Sequence, residues 1–352
     1  MRKTTYRAIV YDKFGGAAVL RQVERELTDP GPGEVRVRVV VSGVNPTDWK
    51  TRSGATATSD IPAGGAVPNQ DGAGVIDAVG PGVAGFAPGD RVWLLLSAYQ
   101  RPGSGTAQEY TVVPAERAAR LPDGVGFAAG ACVGVPALTA HRALTVHEGA
   151  PDRLAPGALD GVNVLVAGGA GAVGNAAIQL ATWAGASVVA TVSGPEKAAL
   201  ARAAGAARVV NYHDADAAEQ IRDAFPAGAD VIVEVAAAHN AELDFAVLRT
   251  GGVIAVYAND SGGGPLAMDV RRNMVLNSRW QFILLYTVTK EALANGVAAV
   301  NAALADGGLR FGADAGVPLH IYPLSDTAAA HAAVESGAVG KVLIQVDPSA
   351  GD

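Results

Sequence analysis

A glycine-rich turn between an apolar strand and a helical segment constrains the fold of this chain more than any other feature. The strand-like residues 164–167 lead directly into the turn 168–174, and a helical pattern follows. Gly169, Gly171 and Gly174 match the spacing G-x-G-x-x-G. In such a turn, glycines let a pyrophosphate approach the backbone, and the helix presents unpaired N–H groups and the positive end of its dipole. The order of strand, turn and helix therefore predicts a nucleotide-binding unit.

Strands and helices alternate around this turn from about residue 134. We predict strands at 162–167, 187–191, 208–210, 231–235 and 253–257. Helices are predicted to begin near Gly174, Pro195, Ala217 and Asn240, and a longer helix to run from Lys290 to about Asp306. Such alternation is typical of a parallel sheet with helices on both faces.

Up to about residue 133 the chain is instead divided into short strands by Gly and Pro. Residues 35–41 alternate at period two, and 74–79 and 91–96 are further predicted strands. The tail returns to strand, helix and strand at 319–322, 325–335 and 341–346, which is too short for a separate domain. We therefore predict a mostly-β domain at 1–133, a dinucleotide-binding domain at 134–306, and a segment 307–352 that returns to the first domain.

Composition excludes several other classes of protein. The 352 residues are 49% hydrophobic and 17% charged, which suits two globular cores, and the formal net charge of −7 disfavours nucleic acid or an anionic membrane as partner. The single cysteine, Cys132, cannot form an internal disulfide or a cysteine zinc cage, so a reducing cytosol is expected. No apolar signal core follows the basic N-terminus, and the aliphatic stretch 280–285 is too short to span a bilayer. We expect a cytoplasmic protein.

Several different short motifs follow one another along nearly the whole chain. They are Gly43-Val44-Asn45-Pro46, Arg52-Ser53-Gly54, Gln70-Asp71-Gly72-Ala73-Gly74-Val75, Gly89-Asp90-Arg91-Val92, Gly134-Val135-Pro136-Ala137-Leu138-Thr139-Ala140, the glycine turn, Asn211-Tyr212 and Gly340-Lys341. With them the chain resembles the zinc-independent medium-chain dehydrogenases/reductases, in particular the zeta-crystallin-like quinone oxidoreductases. The resemblance implies an α/β fold with a GroES-like mostly-β domain and a Rossmann doubly wound parallel-sheet domain. It also implies NADPH as cofactor and hydride transfer in the cleft between the domains.

The end of the second Rossmann strand bears on the choice between NADPH and NAD. No acidic residue stands at this strand end, where an Asp or Glu usually binds the ribose 2′-hydroxyl of NAD. Ser193 can donate to a 2′-phosphate and Lys197 can neutralise it, and the resemblance assigns this phosphate to Lys197 and Tyr212. The alternatives are a solvated Lys197 and a Tyr212 that only packs. Glu196, if turned inward, would favour NAD.

The remaining predicted cofactor-binding residues lie at the turn, at a strand end and in the motifs of the resemblance. They are Gly169, Gly171, Ala172, Val173, Gly174, Tyr257, Ala258 and Asn259, and by resemblance Asn45, Thr139 and Lys341. Asp260 is a further candidate, because ligands bind at the carboxyl ends of the strands in such sheets. The alternative for Lys341 is a charge on an edge strand.

Zinc is not expected in this chain. By the resemblance, Asn45 replaces a cysteine and Asn69-Gln70-Asp71 replaces a Gly-His-Glu of zinc-dependent relatives. These residues do not provide the nitrogen and sulfur ligands that zinc prefers. We interpret the histidines as surface or capping residues, since none has ligand-like spacing: His141, His147, His213, His239, His320 and His331.

Without a metal, the hydride acceptor must be activated by hydrogen bonding and orientation. By resemblance, Asn45 and Thr139 lie beside the nicotinamide. The alternative for Asn45 is an Asn-Pro turn. Thr139 is predicted to begin a helix, and its alternative is a hydrogen bond to its own backbone. Lys50 stands where many relatives have a tyrosine, and it either donates to a carbonyl or carboxylate or is simply solvated. Ala107 replaces an aromatic residue and widens the cleft.

The predicted activity is NADPH-dependent hydride transfer to a quinone or an α,β-unsaturated carbonyl, with the proton taken from water or a side chain. The alternatives are a non-catalytic NADPH-binding structural or RNA-binding protein, which the acidic composition disfavours, and a zinc alcohol dehydrogenase. We also expect a homodimer through the Rossmann sheet edge. The strand at 251–256 and the apolar strand 279–285 would form this edge, and an edge so apolar favours a partner.

Overall fold

The computed structural model describes residues 4–56, 60–259 and 264–349. In chain order its elements begin with β1 Thr5–Val10, β2 Arg21–Glu26, β3 Glu34–Val44, α1 Pro46–Ser53, β4 Asp71–Val79, β5 Arg91–Leu94, β6 Tyr110–Pro114, β7 Ala118–Arg120 and α2 Phe127–Leu144. They continue with β8 Asn163–Ala167, α3 Ala172–Trp183, β9 Ser187–Val192, α4 Pro195–Ala203, β10 Arg208–Asn211, α5 Ala217–Ala224, β11 Ala229–Glu234, α6 Ala237–Val247, β12 Leu248–Val256, α7 Val270–Leu276 and β13 Arg279–Phe282. The last are α8 Lys290–Ala305, β14 Leu319–Pro323, α9 Thr327–Glu335 and β15 Lys341–Gln345. No helix within the described residues is long and apolar enough to cross a membrane.

The chain forms two compact units, one of Met1–Val135 with Leu319–Asp352 and one of Pro136–Pro318. The first unit contains a sheet in the order β14-β15-β3-β4-β5-β7, with β6 also paired to β3. Valines alternate with charged residues in the first half of β3, and Val35 and Val37 are fully buried. Beyond a register shift against β4 at Val39, the residues up to Val44 are all buried.

The register of three strands in this sheet determines which residues meet at one end of it. The antiparallel pair β15–β3 aligns Val342 with Val44, and the antiparallel pair β3–β4 aligns Gly43 with Asp71. The first residue of β15, the residue after β3 and the first residue of β4 therefore lie side by side. These residues are Lys341, Asn45 and Asp71.

The second unit contains a parallel sheet in the order β10-β9-β8-β11-β12-β13. Because the strand order reverses between β8 and β11, this is the doubly wound arrangement that binds dinucleotides at the reversal point. Leu165, Ile232 and Ile254 belong to the core on these strands. The predicted α/β class, a mostly-β domain together with a doubly wound parallel sheet, is confirmed.

Several predicted elements differ from the structure. Thr139 does not lie near a helix start, because α2 already begins at Phe127 and contains Pro136 in its interior. A proline is more common in the first turn of a helix than in its interior, where it removes one hydrogen bond, so Pro136 gives no sequence signal of a helix that already began at Phe127. Helix α7 was not predicted, and β13 ends at Phe282 rather than at residue 285. Strand β5 ends at Leu94, and Leu96 has a positive φ of 51°.

Candidate functional site

The glycine turn joins β8 to α3 as predicted. Gly168 adopts a positive φ of 68°, which favours glycine. The Gly169 N–H donates to the Thr191 carbonyl of β9 at 3.0 Å, and the Gly171 N–H donates back to the Gly168 carbonyl at 2.9 Å. Helix α3 then begins at Ala172, two residues before the predicted start at Gly174.

Each glycine of the G-x-G-x-x-G pattern has a different environment. A Cβ at Gly169 would lie 2.8 Å from the Ala190 Cβ, so Gly169 allows close packing on β9. A Cβ at Gly174 would collide with the backbone of Gly168 and Gly169. Gly171 is the exposed N-cap of α3, and a Cβ there would have its nearest neighbour at 3.4 Å. The turn is therefore closed on the side of the sheet and open at Gly171, beside the first N–H groups of α3 at Ala172, Val173 and Gly174. This open, donor-rich side fits the phosphates of a dinucleotide.

The carboxyl ends of β9 and β10 bring together the residues predicted for the 2′-phosphate. The Lys197 ammonium donates to the Ser193 hydroxyl at 3.0 Å on an exposed surface. Asn211 pairs with Val192 across the two strands, and the Tyr212 N–H donates to the Val192 carbonyl at 3.1 Å, so Tyr212 adjoins Ser193. Glu196 is exposed in the first turn of α4.

A cavity of about 350 Å³ lies at the carboxyl end of β12. Tyr257, Ala258 and Asn259 line it, with Phe282, Leu284 and other mostly apolar residues. The Asn259 carboxamide accepts a hydrogen bond from the Ala238 N–H at 3.0 Å, which connects this segment to α6. Asp260, also predicted to line the site, lies outside the described residues.

A buried pair of carboxyl groups under this segment was not predicted from the sequence. Glu234 ends β11, Asp244 lies on α6, and both are buried. Glu234 accepts hydrogen bonds from the Ala236 N–H and from Asn240 Nδ2, the latter at 3.0 and 3.2 Å. Burial raises the pKa of both carboxyl groups, and the Glu234 charge raises the pKa of Asp244 further. The pair therefore retains a proton well above the pH at which an exposed carboxyl loses it.

In the first unit, Asn45, Asp71 and Lys341 form one buried polar network. Their exposed fractions are 2%, 0% and 2%. Asn45 Nδ2 donates to Asp71 Oδ2 at 2.7 Å, and the Lys341 ammonium donates to Asn45 Oδ1 and lies 3.5 Å from Asp71 Oδ2. The Val135 N–H donates to both Asp71 oxygens, at 2.9 and 3.0 Å. The nitrogen of the Asn45 carboxamide therefore has an acceptor, Asp71, and its oxygen has a donor, Lys341.

A second carboxyl group, that of Asp48, adjoins this network. Asn45 is the N-cap of α1, and its N–H donates to Asp48 Oδ2 at 2.7 Å, while the Gln70 N–H donates to Asp48 Oδ1 at 3.1 Å. Burial and the nearby Asp71 raise the pKa of Asp48 to about 8, although both hydrogen bonds lower it. Burial likewise raises the pKa of Asp71, which Lys341, Asn45 and Val135 lower. Asp48 is therefore a buried carboxyl group that titrates near pH 8.

Two glycines of the quoted motifs make room for the network. A Cβ at Gly134 would collide with the Asp71 carboxylate, and a Cβ at Gly43 would collide with the Ala131 carbonyl of α2. Cys132 is buried in the same helix, and burial raises the pKa of its thiol to about 12, so Cys132 stays protonated. The glycines of both motifs thus allow α2 to approach β3 and β4 closely.

The structure places several of the predicted site residues differently from what the sequence suggested. Lys341 is not on an edge strand, because β15 lies between β14 and β3 and the side chain is buried. Lys50 is partly buried, with its ammonium 5.8 Å from the centre of the Trp49 ring. Thr139 is buried within α2 at an exposed fraction of 6%. Asn45 is part of a buried network as well as a helix cap.

The surface interpretation holds for His213, His239 and His320 but is wrong for two histidines. His141 and His331 are buried. The Leu154 N–H donates to His141 Nε2 at 3.4 Å, and His331 Nε2 is hydrogen-bonded to Asn69 Oδ1 at 2.9 Å, while His331 Nδ1 has no partner among the described residues. Burial lowers the pKa of His331 to about 3 and that of His141 to about 4, so both rings are neutral. Within the described residues, no three His, Cys, Asp or Glu side chains are grouped so as to hold a metal ion.

Comparison with known proteins connects this geometry to a family. The family model for the alcohol dehydrogenase GroES-like domain matches residues 31–123, and that for zinc-binding dehydrogenases matches residues 172–301. The quinone oxidoreductase of Lama guanicoe is 33% identical over 345 residues, covering 96% of this chain and 97% of that protein.

Two of the similar solved structures match 97% of this chain over 100% of their own length. The quinone oxidoreductase of Escherichia coli complexed with NADPH has a TM-score of 0.79 at 26% identity. An NAD-dependent alcohol dehydrogenase has a TM-score of 0.81 at 30% identity. Since the likeness to the quinone oxidoreductases runs from one end of the chain to the other, this protein is an oxidoreductase and belongs to the quinone oxidoreductase family of medium-chain dehydrogenases/reductases.

Proposed function

We propose that this protein is an NADPH-dependent reductase that transfers hydride to a quinone or an α,β-unsaturated carbonyl without a metal. The observation that carries the proposal is the cluster of Ser193, Lys197 and Tyr212 at the end of the strand next to the glycine turn. A hydroxyl and an ammonium 3.0 Å apart on an open surface suit a phosphate dianion better than a ribose hydroxyl. The Escherichia coli relative, complexed with NADPH, supports the same choice.

The other proposed coenzyme contacts follow from the fold. The pyrophosphate would be bound at the open side of the turn, by the N–H groups at the start of α3. Tyr257, Ala258 and Asn259 would line the nicotinamide side, because they follow the carboxyl end of β12. The proposed set of coenzyme contacts is completed by Asn45, Thr139 and Lys341. Lys341 would act by direct contact with the coenzyme or through Asn45. Glu196 is exposed, so it can turn away from a phosphate at Lys197.

NADPH, when bound, supplies a hydride to the electron-poor carbon of the conjugated acceptor. Negative charge then develops on the acceptor oxygen, and a fixed N–H donor such as that of Asn45 stabilises it by about 3 kcal/mol, the usual contribution of one such donor. The Lys50 ammonium is a candidate second donor for substrates that carry a carboxylate. Thr139 would orient the acceptor or the coenzyme through its hydroxyl. The proton comes from water or from a side chain such as Lys50.

Metal independence is supported by the chemistry of the donors rather than by their number. Asn45 offers an amide and Asp71 a carboxylate, whereas zinc prefers cysteine and histidine. The Asp71 carboxylate is already paired with the Lys341 ammonium at 3.5 Å. A divalent cation at Asp71 would therefore have to displace a buried positive charge.

The proposal is tested by measuring NADPH oxidation with separate panels of quinones, enals and enones, and enoyl thioesters. We expect turnover with at least one class, a preference for NADPH over NADH, and unchanged rates after treatment with a chelator. Asn45→Ala should lower kcat by about a hundredfold, as expected for removal of one donor to a developing oxyanion.

Calorimetric titration with NADPH separates the possible failures. NADPH binding without turnover of any acceptor class would refute the proposed reaction. Equal affinity for NADH and NADPH would refute the assignment of the 2′-phosphate site, and activity lost to a chelator and restored by zinc would refute metal independence.

We also propose that two copies associate through one edge of the parallel sheet. Strand β13 forms this edge, and Phe282 and Leu284 are 59% and 58% exposed. An exposed apolar edge strand favours pairing with another chain. Light scattering after size exclusion should give a dimer, and Phe282→Lys should shift it towards monomer. A wild-type monomer at all concentrations would refute this arrangement.

A reducing cytosol suits the buried, protonated Cys132.

A further inference from the structure

The network around Asn45 has a feature that the proposed reaction does not by itself require. Lys341 is an almost fully buried lysine whose ammonium is directed at a neutral carboxamide oxygen as well as at a carboxylate. Burial of a lysine is costly unless the charge is paired and hydrogen-bonded. Its placement next to the proposed catalytic amide therefore needs an explanation in terms of what the ammonium does there.

An asparagine side chain has two orientations that occupy nearly the same space, with the oxygen and the nitrogen exchanged. An ammonium can only donate and an ionised carboxylate can only accept. Lys341 therefore requires the oxygen of Asn45 on its side, and Asp71 requires the nitrogen on the other side. The two charged neighbours together exclude the reversed orientation, because reversal would place N–H against ammonium and oxygen against carboxylate.

We infer that Lys341 is a positioning residue: it fixes the orientation of the Asn45 carboxamide, so that Asn45 Nδ2 always faces Asp71 and offers its second N–H to a ligand. Among the described residues, Asp71 is the one hydrogen-bond acceptor of Asn45 Nδ2. The inference rests on the proposed function, in which Asn45 donates to the acceptor oxygen. It assigns Lys341 an action through Asn45 instead of direct contact with the coenzyme.

The strand register supports this assignment. Lys341 begins β15 beside the residue that follows β3, and Val342 is aligned with Val44. The ammonium thus reaches Asn45 from the neighbouring strand, while Asp71 reaches it from the strand on the opposite side of β3. A backbone arrangement that holds a donor and an acceptor on opposite sides of one amide is suited to fixing its orientation.

Three variants distinguish the orientation of the Asn45 carboxamide from the charges of Lys341 and Asp71. Lys341→Met removes the ammonium but leaves Asp71 buried without its cation, so this variant risks misfolding. The double variant Lys341→Met with Asp71→Asn removes both charges and also both constraints on Asn45. Asp71→Asn alone leaves the Lys341 ammonium buried without its carboxylate and carries the same risk, but Lys341 still requires the oxygen of Asn45 on its side. Lys13→Met, at an exposed lysine, is the control.

Two readouts are measured on each variant with the full chain. In steady-state kinetics we expect the double variant to lose about tenfold to a hundredfold in kcat, with the Kd for NADPH within about threefold of wild type. Asp71→Asn should lose less than about fivefold, since one orienting partner remains. In NMR of protein with ¹⁵N-labelled asparagine, the Asn45 side-chain amide protons should exchange slowly in wild type and faster in the double variant.

The kinetics, the NADPH affinity and the amide exchange of the double variant decide whether Lys341 orients Asn45. A double variant with unchanged kcat, or with unchanged exchange at the Asn45 amide, would overturn it. A weaker Kd for NADPH together with wild-type kcat at saturating coenzyme would assign Lys341 to the coenzyme and would also overturn it. If the wild-type protein reduces no acceptor, the proposed function fails, and the exchange of the Asn45 amide still decides whether Lys341 orients this residue.

Discussion

Replacing Gly174 with alanine tests which glycine of the turn is required by the fold. A Cβ at Gly174 would lie 3.0 Å from the Gly168 carbonyl carbon, 3.1 Å from Gly169 Cα, and closer still to the Gly168 carbonyl oxygen. These are backbone atoms of the turn, so they cannot move aside as a flexible side chain can. Such overpacking costs about 3 kcal/mol, whereas alanine gains about 1 kcal/mol over glycine inside a helix. The expected net loss of stability is therefore about 2 kcal/mol.

Gly171→Ala is the matched control within the same turn. Gly171 has φ −74° and ψ 160°, which any residue adopts, and the nearest atom to an added Cβ is 3.4 Å away. The smaller entropy of the unfolded chain gains about 0.4–1 kcal/mol, and the poorer helix capping by alanine costs a similar amount. We therefore expect the stability to change by less than about 0.5 kcal/mol.

Thermal unfolding and titration with NADPH distinguish the two positions. Gly174→Ala should lower the Tm by about 4–8 °C, as expected for a loss of about 2 kcal/mol in a unit of this size. Gly171→Ala should keep the wild-type Tm but weaken NADPH binding about tenfold or more, because its methyl group stands where the pyrophosphate would approach α3. A wild-type Tm for Gly174→Ala would refute the packing argument. Wild-type NADPH affinity for Gly171→Ala would refute the proposed phosphate site.

Three further changes have defined outcomes. Lys197→Met should weaken NADPH binding about tenfold or more and change NADH binding by less than about twofold, by calorimetry, since only NADPH carries the 2′-phosphate. Asp244→Asn should change the dependence of Tm on pH, because the raised pKa of Asp244 means that the folded state binds the extra proton. The contribution of Asp244 to stability is fully present below the unfolded value of 3.8 and is lost as the pH rises towards its raised pKa in the folded state, and the variant should lack this loss. A wild-type slope in Asp244→Asn would show that this carboxyl is not the titrating group. Gly134→Ala should lower stability by about 1–3 kcal/mol in denaturant unfolding, because its Cβ would collide with the Asp71 carboxylate; unchanged stability would contradict that packing.

The parallel sheet was predictable because its signals are local. Strands β8 and β9 are short, mostly apolar runs followed by a helix start, and Pro195 and Ala217 begin α4 and α5 as predicted. The glycine turn needed only its neighbours in sequence to be recognised. The contact between Ser193 and Lys197 also follows from local spacing, since the two are four residues apart at a strand end and a helix start.

Features that depend on packing between distant segments were not predictable in the same way. The sequence around Pro136 suggests a helix start, but α2 begins at Phe127. The residues Ala131, Cys132 and Val133, which precede Pro136 in this helix, are buried. His331 is buried and hydrogen-bonded to Asn69, which is far away in sequence, so no local pattern indicates its burial. The pairing of Glu234 with Asp244 depends on where α6 packs, and no motif marks it.

The network at Asn45 predicts that substitutions at its three positions depend on one another. By resemblance, zinc-dependent relatives have a cysteine at the position of Asn45, and a single exchange of Asn45 for Cys would suggest a partial metal site. The Lys341 ammonium would remain 3.5 Å from Asp71, however, and its charge would oppose a dication there. Removing Lys341 alone would leave the Asp71 carboxylate buried without a cation. We therefore expect replacement of Asn45, Asp71 and Lys341 together to be tolerated better than removal of one charge alone, because a single removal leaves the partner charge buried and unpaired.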